Sequence, residues 1–441
     1  MKKIFTRSIS VILFIVCFVA CGKGLNYILV DDTNSYTRVM MHQLYEPEKN
    51  IDVIFIGSSH VYRSLIPAVT DVEFGCYTFN AGSSGQFMDG SAALIKEAAT
   101  YNDLSHVYLE LYYGVAEDVD HSERTNMTAT YIISDYMKPS LRRIRYLLQA
   151  SSKDYWTNGF ILARRNWTDF FDSDYVRNLI EKKQSNNYKN YILTNAEGQE
   201  EYYVDRGFVA NDNVVSERTY WNSIAYGSIA VDNLSGSDWE RSLLEAINYC
   251  KKNNIEITLF VAPEPEWTIV GKGNYQEYHD YVQKLAADKN VTFYDFNLCS
   301  NKYLDANDGN LFKDSDHLNT YGAEAFSHLF GQFFTGKLKA DDLFYDSYSE
   351  KLNEEEPVVY GIAGPKDNSE TGLRDCYMIS NRNSGIEYRI IATTSEGKQY
   401  YIQDFDENRS FSLPTDEAGT LTVVWRITSE SDTVNSFEAA Y

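Results

Sequence analysis

The stretch Val53-Ile-Phe-Ile-Gly57-Ser58-Ser59-His60 joins a short apolar run to a turn of small residues. The run is rich in β-branched and aromatic side chains, which predicts a buried β-strand. Glycine permits a tight backbone turn directly after the strand, so the hydroxyl of Ser59 would be exposed at the edge of a sheet. Taken alone, Gly-Ser-Ser is more often a plain strand-to-helix turn in which serine caps the helix.

Four further runs of this kind follow along the chain, and segments with apolar residues at helical spacing separate them. We predict strands at Cys76–Phe79, Val107–Leu111, Ile255–Val261 and Val291–Phe296, and helices at Phe87–Tyr101, Trp239–Asn253 and Tyr275–Asp288. Strands that alternate with helices indicate an α/β fold, with a parallel sheet of about five strands and helices on both faces. Functional groups gather beyond the carboxyl ends of the strands in such sheets.

Two polar motifs follow other predicted strands. Asn80-Ala-Gly82 follows the second strand, and Gly82 there lets a backbone N–H approach a developing oxyanion without a Cβ in the way. Asp314-Ser-Asp316-His317 follows the fifth strand at the start of a predicted helix. A serine nucleophile needs an adjacent base, which histidine supplies, and a carboxylate orients that histidine. Asp314 can curl back onto the ring, whereas Asp316, directly adjacent, tends to point away. Each motif alone also fits an ordinary loop or helix cap.

In their order along the chain, these three blocks resemble the SGNH (GDSL-like) hydrolase superfamily. The resemblance covers about residues 31–340 and implies a flavodoxin-like, three-layer sheet. It implies that Ser59 is the catalytic nucleophile, Asp314 the orienting acid and His317 the catalytic base. The oxyanion would be bound by the backbone N–H groups of Ser59 and Gly82. The position of Gly-Ser-Ser after an N-terminal anchor is similar to that in wall-polymer D-alanylation proteins and alginate-type O-acetyltransferases.

The third block of that superfamily is where this chain departs from the pattern. The superfamily has an Asn after the third strand that donates to the oxyanion, whereas this chain has Glu110-Leu-Tyr112-Tyr113-Gly114. A hydroxyl of Tyr112 or Tyr113 is a candidate replacement donor, since the loss of one such donor costs ~10²–10³ in rate. Asn80 and His60 are candidate substrate-binding residues, with a structural role as the alternative for His60.

The N-terminus has the pattern of an export signal. Basic residues at positions 2, 3 and 7 precede the uncharged apolar run Ile9–Ala20. Residues 1–30 either stay as an uncleaved membrane anchor, or Phe18–Gly22 acts as a lipoprotein signal in which Cys21 is lipidated. We therefore expect an extracytoplasmic protein that is held at a bacterial cell membrane.

Charge and residue composition indicate which kinds of partner this protein binds. The formal net charge of −23 argues against nucleic acid, because binding phosphates needs clustered cations. The four cysteines outside the signal lack metal-ligand spacing, so we expect no metal and no cofactor. Tyrosine is abundant, at 35 residues, as in proteins that stack sugar rings on aromatic faces, although it also fills half-buried strand positions.

We predict two domains after the signal. Residues 31–345 form the hydrolase-like domain, and an aromatic-rich insertion at about 116–236 acts either as a lid or substrate platform or as a packing subdomain. Residues 357–441 show about seven short strands, which is typical of a small, Ig-like β-sandwich that serves as an accessory module.

These features favour a serine-dependent esterase or O-acetyltransferase that acts on cell-surface or extracellular glycan. Its partners would be a carbohydrate polymer or acylated glycan, with a polysaccharide-assembly machinery as a further candidate. The alternative is a non-catalytic protein that kept the fold for glycan binding or assembly. The absent Asn supports this alternative, and the intact Ser, Asp and His oppose it.

Overall fold

A computed structural model describes residues 2–116, 120–193, 199–215, 221–224, 227–368, 370–382, 384–430 and 433–441. These residues form fifteen strands. In chain order the strands are β1 (Val53–Ile56), β2 (Thr78–Asn80), β3 (His106–Glu110), β4 (Glu201–Asp205), β5 (Phe208–Asn211), β6 (Trp221–Ile224), β7 (Glu256–Val261), β8 (Thr292–Asp295), β9 (Val359–Asn368), β10 (Leu373–Ser380), β11 (Ile386–Thr394), β12 (Gln399–Asp406), β13 (Ser410–Pro414), β14 (Gly419–Ile427) and β15 (Val434–Ala440).

The same residues form seventeen α-helices and several short 3₁₀ segments, of which Leu162–Phe171 is the longest. The helices are α1 (Lys2–Leu29), α2 (Tyr36–Tyr45), α3 (Ser59–Ser64), α4 (Pro67–Phe74), α5 (Met88–Tyr101), α6 (Tyr113–Ala116), α7 (Thr128–Ser134), α8 (Leu141–Gln149), α9 (Trp156–Phe160), α10 (Ser173–Gln184), α11 (Asn186–Lys189), α12 (Asp238–Lys252), α13 (Glu266–Val270), α14 (Tyr275–Asp288), α15 (Thr320–Phe334), α16 (Ala340–Leu343) and α17 (Tyr348–Glu354).

The five predicted strands of the α/β domain form one sheet in the order β2-β1-β3-β7-β8, and all neighbouring pairs are parallel. Side chains alternate between its faces, as the two-residue period of a strand requires. On β1, Ile54 and Ile56 enter one apolar core while Val53 and Phe55 enter the other. Cores on both faces make the domain a three-layer structure, and the predicted fold class is confirmed.

Helices cover the two faces unequally. Apolar residues of α2, α5, α12 and α14 fill the core on one face, and those of α3 and α15 fill the core on the other. The second core is rich in phenylalanines whose rings contact one another, mostly edge-on: Phe330 on α15 lies 5.7 Å from Phe55 and 5.6 Å from Phe296, and Phe326 lies 4.9 Å from Phe296, measured between centroids.

The strand order has one reversal point, at β1. The chain moves from β1 to β2 on one side and then returns to β3 on the other side. A crevice opens at the carboxyl edge of a parallel sheet at such a point, and ligands bind there in doubly wound folds. The Gly57–Ser59 turn follows β1 directly and so lies at this reversal point.

The insertion between β3 and β7 divides into two parts. Helices α7 to α10 pack beside α5 and the C-terminal end of α1. The hairpin of β4 and β5 instead lies against the carboxyl end of β2, where the Asn80 backbone N–H donates to the carbonyl of Arg206. Gly207 turns this hairpin with a positive φ of 86°, and a Cβ there would overlap the Asn80 carbonyl.

The C-terminal domain consists of two antiparallel sheets packed face to face. One contains β13-β10-β9 and the other β12-β11-β14-β15, and residues of both sheets share a single apolar core. Strand β6 was not predicted from the sequence; it comes from the insertion and pairs in parallel with β9. The two domains are therefore joined by a backbone ladder as well as by the chain.

Helix α1 contains the stretch Arg7–Leu29, which is long and apolar enough to cross a membrane (23 residues, mean hydropathy 2.2) and whose apolar part is not buried in the protein. These properties are compatible with a signal anchor. Cys21 lies exposed on this helix, so the position itself is equally open to lipidation.

Candidate active site

Ser59 is the first residue of α3, immediately after the β1 turn. Ser58 caps the helix, because its Oγ accepts a hydrogen bond from the His60 backbone N–H. The backbone N–H of a first helical residue has no acceptor within its own helix, and that of Ser59 finds none among the described residues. Gly57 is required here because a Cβ would lie 2.5 Å from Glu110 Oε2.

The loop before α15 brings His317 to Ser59. Asp314 Oδ1 accepts hydrogen bonds from the backbone N–H groups of Asp316 and His317, both at 2.8 Å, which curls the loop around the carboxylate. The His317 ring places Nδ1 at 3.1 Å from Asp314 Oδ1 and Nε2 at 2.8 Å from Ser59 Oγ. An ionised carboxylate only accepts hydrogen bonds, so Nδ1 carries the proton and Nε2 is free to accept from the serine hydroxyl.

The charges around this loop keep Asp314 ionised. Burial alone would raise the pKa of Asp314, but its hydrogen bond and electrostatic interaction with His317 and its hydrogen bond with Lys313 outweigh burial and hold this pKa well below its ordinary value. Lys313 Nζ lies 3.0 Å from Asp314 Oδ2. Asp316, the rival orienter, instead lies with both carboxylate oxygens 3.5 Å from the Tyr112 hydroxyl.

The candidate oxyanion donors differ in availability. The Ser59 N–H has no acceptor within the described part of the chain, whereas the Gly82 N–H donates to Asn80 Oδ1 at 3.1 Å. Gly82 fits tightly under α3, because a Cβ would lie 2.9 Å from both Ser58 O and Tyr62 N. Gly82 would have to share or release its hydrogen bond in order to bind an oxyanion.

Asn80 has a different role from the predicted substrate contact. Its side chain is fully buried, and Nδ2 donates to the carbonyls of Val61 and Leu65 at 2.8 and 2.9 Å while Oδ1 accepts from Gly82. Both ends of the amide thus form hydrogen bonds with backbone groups. Asn80 therefore ties α3 to the β2 loop and positions Gly82.

The rings of Tyr112, His60 and His317 lie side by side next to Ser59. The His60 ring lies 3.9 Å from that of Tyr112 and 4.6 Å from that of His317, measured between centroids. His60 is only 2% exposed, and its Nε2 has no hydrogen-bond partner among the described residues. Burial, together with the neighbouring His317, holds the pKa of His60 well below its ordinary value, so the ring is neutral. Burial raises the pKa of Tyr112, so its hydroxyl stays protonated.

Glu110, at the end of β3, supports the turn that precedes Ser59. Its Oε2 accepts from the Ser58 backbone N–H at 3.0 Å and from Ser58 Oγ at 3.1 Å. The side chain is almost completely buried, and burial raises its pKa to about 7. In sequence, Glu110 stands out as one carboxylate inside an apolar run, which is the signal that could have identified it.

An ion-pair bridge connects α3, the helix that begins at Ser59, to the loop that carries His317. Glu201 Oε1, on β4 of the insertion hairpin, lies 2.5 Å from Arg63 Nη2 and 3.2 Å from Lys313 Nζ. Arg63 lies one helical turn after Ser59, and Lys313 precedes Asp314. None of these three residues was predicted, since they lie in three segments that are far apart along the chain.

One group of side chains has ligand types suited to a metal. His60, Asp316 and His317 offer ligand atoms within 4.8 Å of one another. Ligands around tetrahedral zinc are only about 3.3 Å apart, as Zn–N bonds of about 2.0 Å require. Both ring nitrogens of His317 are already engaged by Ser59 and Asp314. A metal here would compete with the Ser59–His317 hydrogen bond.

Comparisons with known proteins do not identify the activity of this chain. No protein-family model and no curated protein matches the chain. Among solved structures, a Bacteroides fragilis protein assigned as an acylhydrolase shares 12% identity, covering 67% of this chain and 95% of its own, at a TM-score of 0.30. A gut microbial diltiazem-metabolizing enzyme shares 10%, with coverages of 84% and 71% and a TM-score of 0.21. A Cellulomonas fimi endo-β-1,4-mannanase double mutant shares 10%, with coverages of 94% and 98% and a TM-score of 0.15. Similarities this weak carry no argument about activity.

Proposed function

We propose that the protein is a serine-dependent acyl-ester hydrolase or O-acyltransferase of the SGNH type, acting on cell-surface or extracellular glycan. The observation that carries the proposal is the continuous hydrogen-bonded path from Ser59 Oγ through the His317 ring to Asp314. Its three members come from opposite ends of the α/β domain. Such a path lets a neutral serine become a nucleophile at neutral pH.

In the proposed reaction, Ser59 Oγ attacks the ester carbonyl while His317 Nε2 takes the hydroxyl proton. Asp314 stabilises the imidazolium and keeps it in the required orientation. The tetrahedral intermediate collapses as His317 returns the proton to the leaving alcohol, and an acyl-Ser59 ester remains. Water or a sugar hydroxyl, activated by the same His317, then receives the acyl group.

The oxyanion of the tetrahedral intermediate would be bound mainly by the free backbone N–H of Ser59. Its position at the start of α3 also places it where backbone N–H groups point outward. The Gly82 N–H would join it by sharing its bond to Asn80. We keep the Tyr112 hydroxyl as a third candidate, although it faces Asp316 in the free protein. This sparse set of donors favours a slow enzyme.

Location and domain organisation are part of the proposal. We propose that α1 holds the protein at the extracytoplasmic face of a bacterial membrane, either as an anchor or as a lipoprotein signal that ends at Cys21. The limits 1–30, 31–345 and 357–441, with the insertion at 116–236, remain proposed boundaries. A tethered catalytic domain fits a polymeric substrate at the cell surface, and a polysaccharide-assembly machinery remains a candidate partner.

The test is turnover of p-nitrophenyl acetate by the full chain in detergent, compared with Ser59→Ala. The matched control is Ser105→Ala, because Ser105 is exposed at the opposite edge of the sheet. Turnover that disappears in Ser59→Ala and persists in Ser105→Ala is expected. Equal turnover in all three proteins would contradict a Ser59 nucleophile.

Adding acetylated and unacetylated oligosaccharides separates the two chemistries. A hydrolase releases acetate from the acetylated oligosaccharide, whereas a transferase gives an acetylated product that mass spectrometry detects. Binding of the oligosaccharide without any Ser59-dependent chemistry would favour the non-catalytic alternative.

A further inference from the structure

Exposed aromatic side chains are concentrated in one short part of the insertion. Beyond α1, and among side chains that the structure describes, every strongly exposed Phe or Trp lies within residues 160–171: Phe160, Trp167, Phe170 and Phe171. Trp167 is 54% exposed and Phe171 is 77% exposed. Soluble proteins rarely expose a contiguous apolar patch of this kind unless it contacts another surface.

Three of these side chains form a single patch. Trp167 stacks on Phe170 at 5.8 Å between ring centroids, and Phe171 meets Trp167 and Phe170 edge-on at 6.1 and 5.5 Å. The rings therefore contact one another while their outer surfaces face away from the protein. We call Trp167, Phe170 and Phe171 the aromatic patch.

The aromatic patch is held against the C-terminal end of α1 from both sides. Before the patch, the Ala163 backbone N–H donates to Asn26 Oδ1 at 3.1 Å. After it, the Tyr175 hydroxyl donates to the Leu29 carbonyl at 3.1 Å. The patch thus belongs to the part of the body that touches the last turns of the apolar helix.

The burial of α1 locates the level of a membrane surface. Residues Ile9 to Val19 are largely exposed, whereas residues from Gly22 onward become partly buried against the body. A span of about 20 residues crosses the ~30 Å hydrocarbon core, so the helix leaves the core near Lys23. Lipidation of Cys21 would place the membrane surface at the same level. The contact at Asn26 therefore sets the aromatic patch beside the lipid–water boundary.

We propose that the aromatic patch inserts into the interfacial layer of the membrane and fixes the orientation of the α/β domain on it. Tryptophan and other aromatic side chains favour this layer, where a ring is partly in contact with lipid and partly with water. The partner is the lipid bilayer itself. The proposal is independent of acyl chemistry, and it rests on α1 or a lipidated Cys21 holding the protein at the membrane.

The test uses tryptophan quenching by brominated lipid. The full chain is reconstituted in phosphatidylcholine vesicles with or without brominated acyl chains, together with Trp167→Phe and the control Trp425→Phe in the C-terminal domain. Flotation with the vesicles first establishes that each protein is anchored. We expect bromolipid to quench part of the emission of the wild-type protein, Trp167→Phe to lose most of that quenched part, and Trp425→Phe to retain it.

The possible outcomes distinguish failure of the aromatic patch as a membrane contact from failure of the membrane anchor. Flotation with equal quenching in all three proteins, or with no quenching in any, overturns the aromatic patch as a membrane contact. Blue-shifted Trp167 emission that bromolipid does not quench also overturns it, because a second copy of the chain or another protein then covers the patch. Loss of flotation refutes the anchor. A double variant, Phe170→Ser and Phe171→Ser, should reduce quenching of Trp167 without changing flotation.

Discussion

The burial of Glu110 should make the stability of the α/β domain depend on pH, and the substitution Glu110→Gln should remove this dependence. Burial raises the pKa of this carboxyl from an ordinary value of 4.5 to about 7. The folded protein therefore holds the proton more tightly than the unfolded chain does. Stabilisation from the protonated carboxyl is complete below pH 4.5 and is lost as the pH rises through 7. Glu110→Gln cannot ionise and should escape this loss.

The magnitude follows from the pKa difference, at about 1.4 kcal/mol for each pKa unit. Above pH 7 the wild-type protein should lose roughly 3 kcal/mol of unfolding free energy relative to its fully protonated state. Most of this loss, roughly 2.5 kcal/mol, falls between pH 5 and pH 8. The glutamine oxygen can still accept the two hydrogen bonds from Ser58, so the effect of lost contacts should be small and independent of pH.

The assay is urea unfolding of the full chain in nonionic detergent at pH 5, 6, 7 and 8, followed by far-UV circular dichroism because the helices lie in the α/β domain. Glu110→Gln should gain in urea midpoint over the wild-type protein as the pH rises. Glu324→Gln, which changes an exposed carboxylate on α15, is the control and should follow the wild type. A difference between Glu110→Gln and the wild type that stays constant across this range would refute the reasoning.

Two further predictions concern the site. Asp314→Asn leaves the size of the side chain unchanged but removes the negative charge that would stabilise the imidazolium of His317. Steady-state kinetics with p-nitrophenyl acetate should therefore show a kcat lowered ~10²–10⁴-fold with little change in KM. An unchanged kcat would contradict the proposed role of Asp314. Gly82→Ala places a Cβ 2.9 Å from backbone atoms of Ser58 and Tyr62, so α3 must shift; we expect at least a tenfold loss of kcat and a destabilisation of about 1–3 kcal/mol. Gly227→Ala, where a Cβ meets open space, is its control, and a Gly82→Ala enzyme with wild-type kcat would show that the close approach is unimportant.

The central sheet was predictable because each of its strands has a recognisable local sequence pattern. Each predicted strand matches an observed one within two residues at either end, and Tyr275–Asp288 is a helix over the whole predicted range. The meeting of Ser59 with His317 was predictable for the same reason. Parallel strands have their carboxyl ends at one edge, so motifs that follow different strands converge there without any knowledge of the connecting chain.

Side-chain environments were not predictable from motifs. Asn80 occupies the position expected of a substrate-binding residue, but its amide has three backbone partners within reach. Which partners an amide finds depends on how α3 crosses the β2 loop, and no local pattern records that crossing. The raised pKa of Glu110 has the same origin, since it depends on which helices close over the end of β3.

The insertion makes contacts near the candidate site that no sequence motif predicted. One carboxylate oxygen of Glu201 contacts both Arg63 and Lys313, and so connects the helix that carries the proposed nucleophile to the loop that carries the proposed base. Lys313 also contacts Asp314, which makes the orienting acid part of the same network. A lid that only covered substrate would not need such contacts in the free protein. The hairpin of β4 and β5 therefore braces the segments that carry Ser59 and Asp314, while the helical part of the same insertion packs against α1. The two halves of the insertion thus fold against different parts of the molecule.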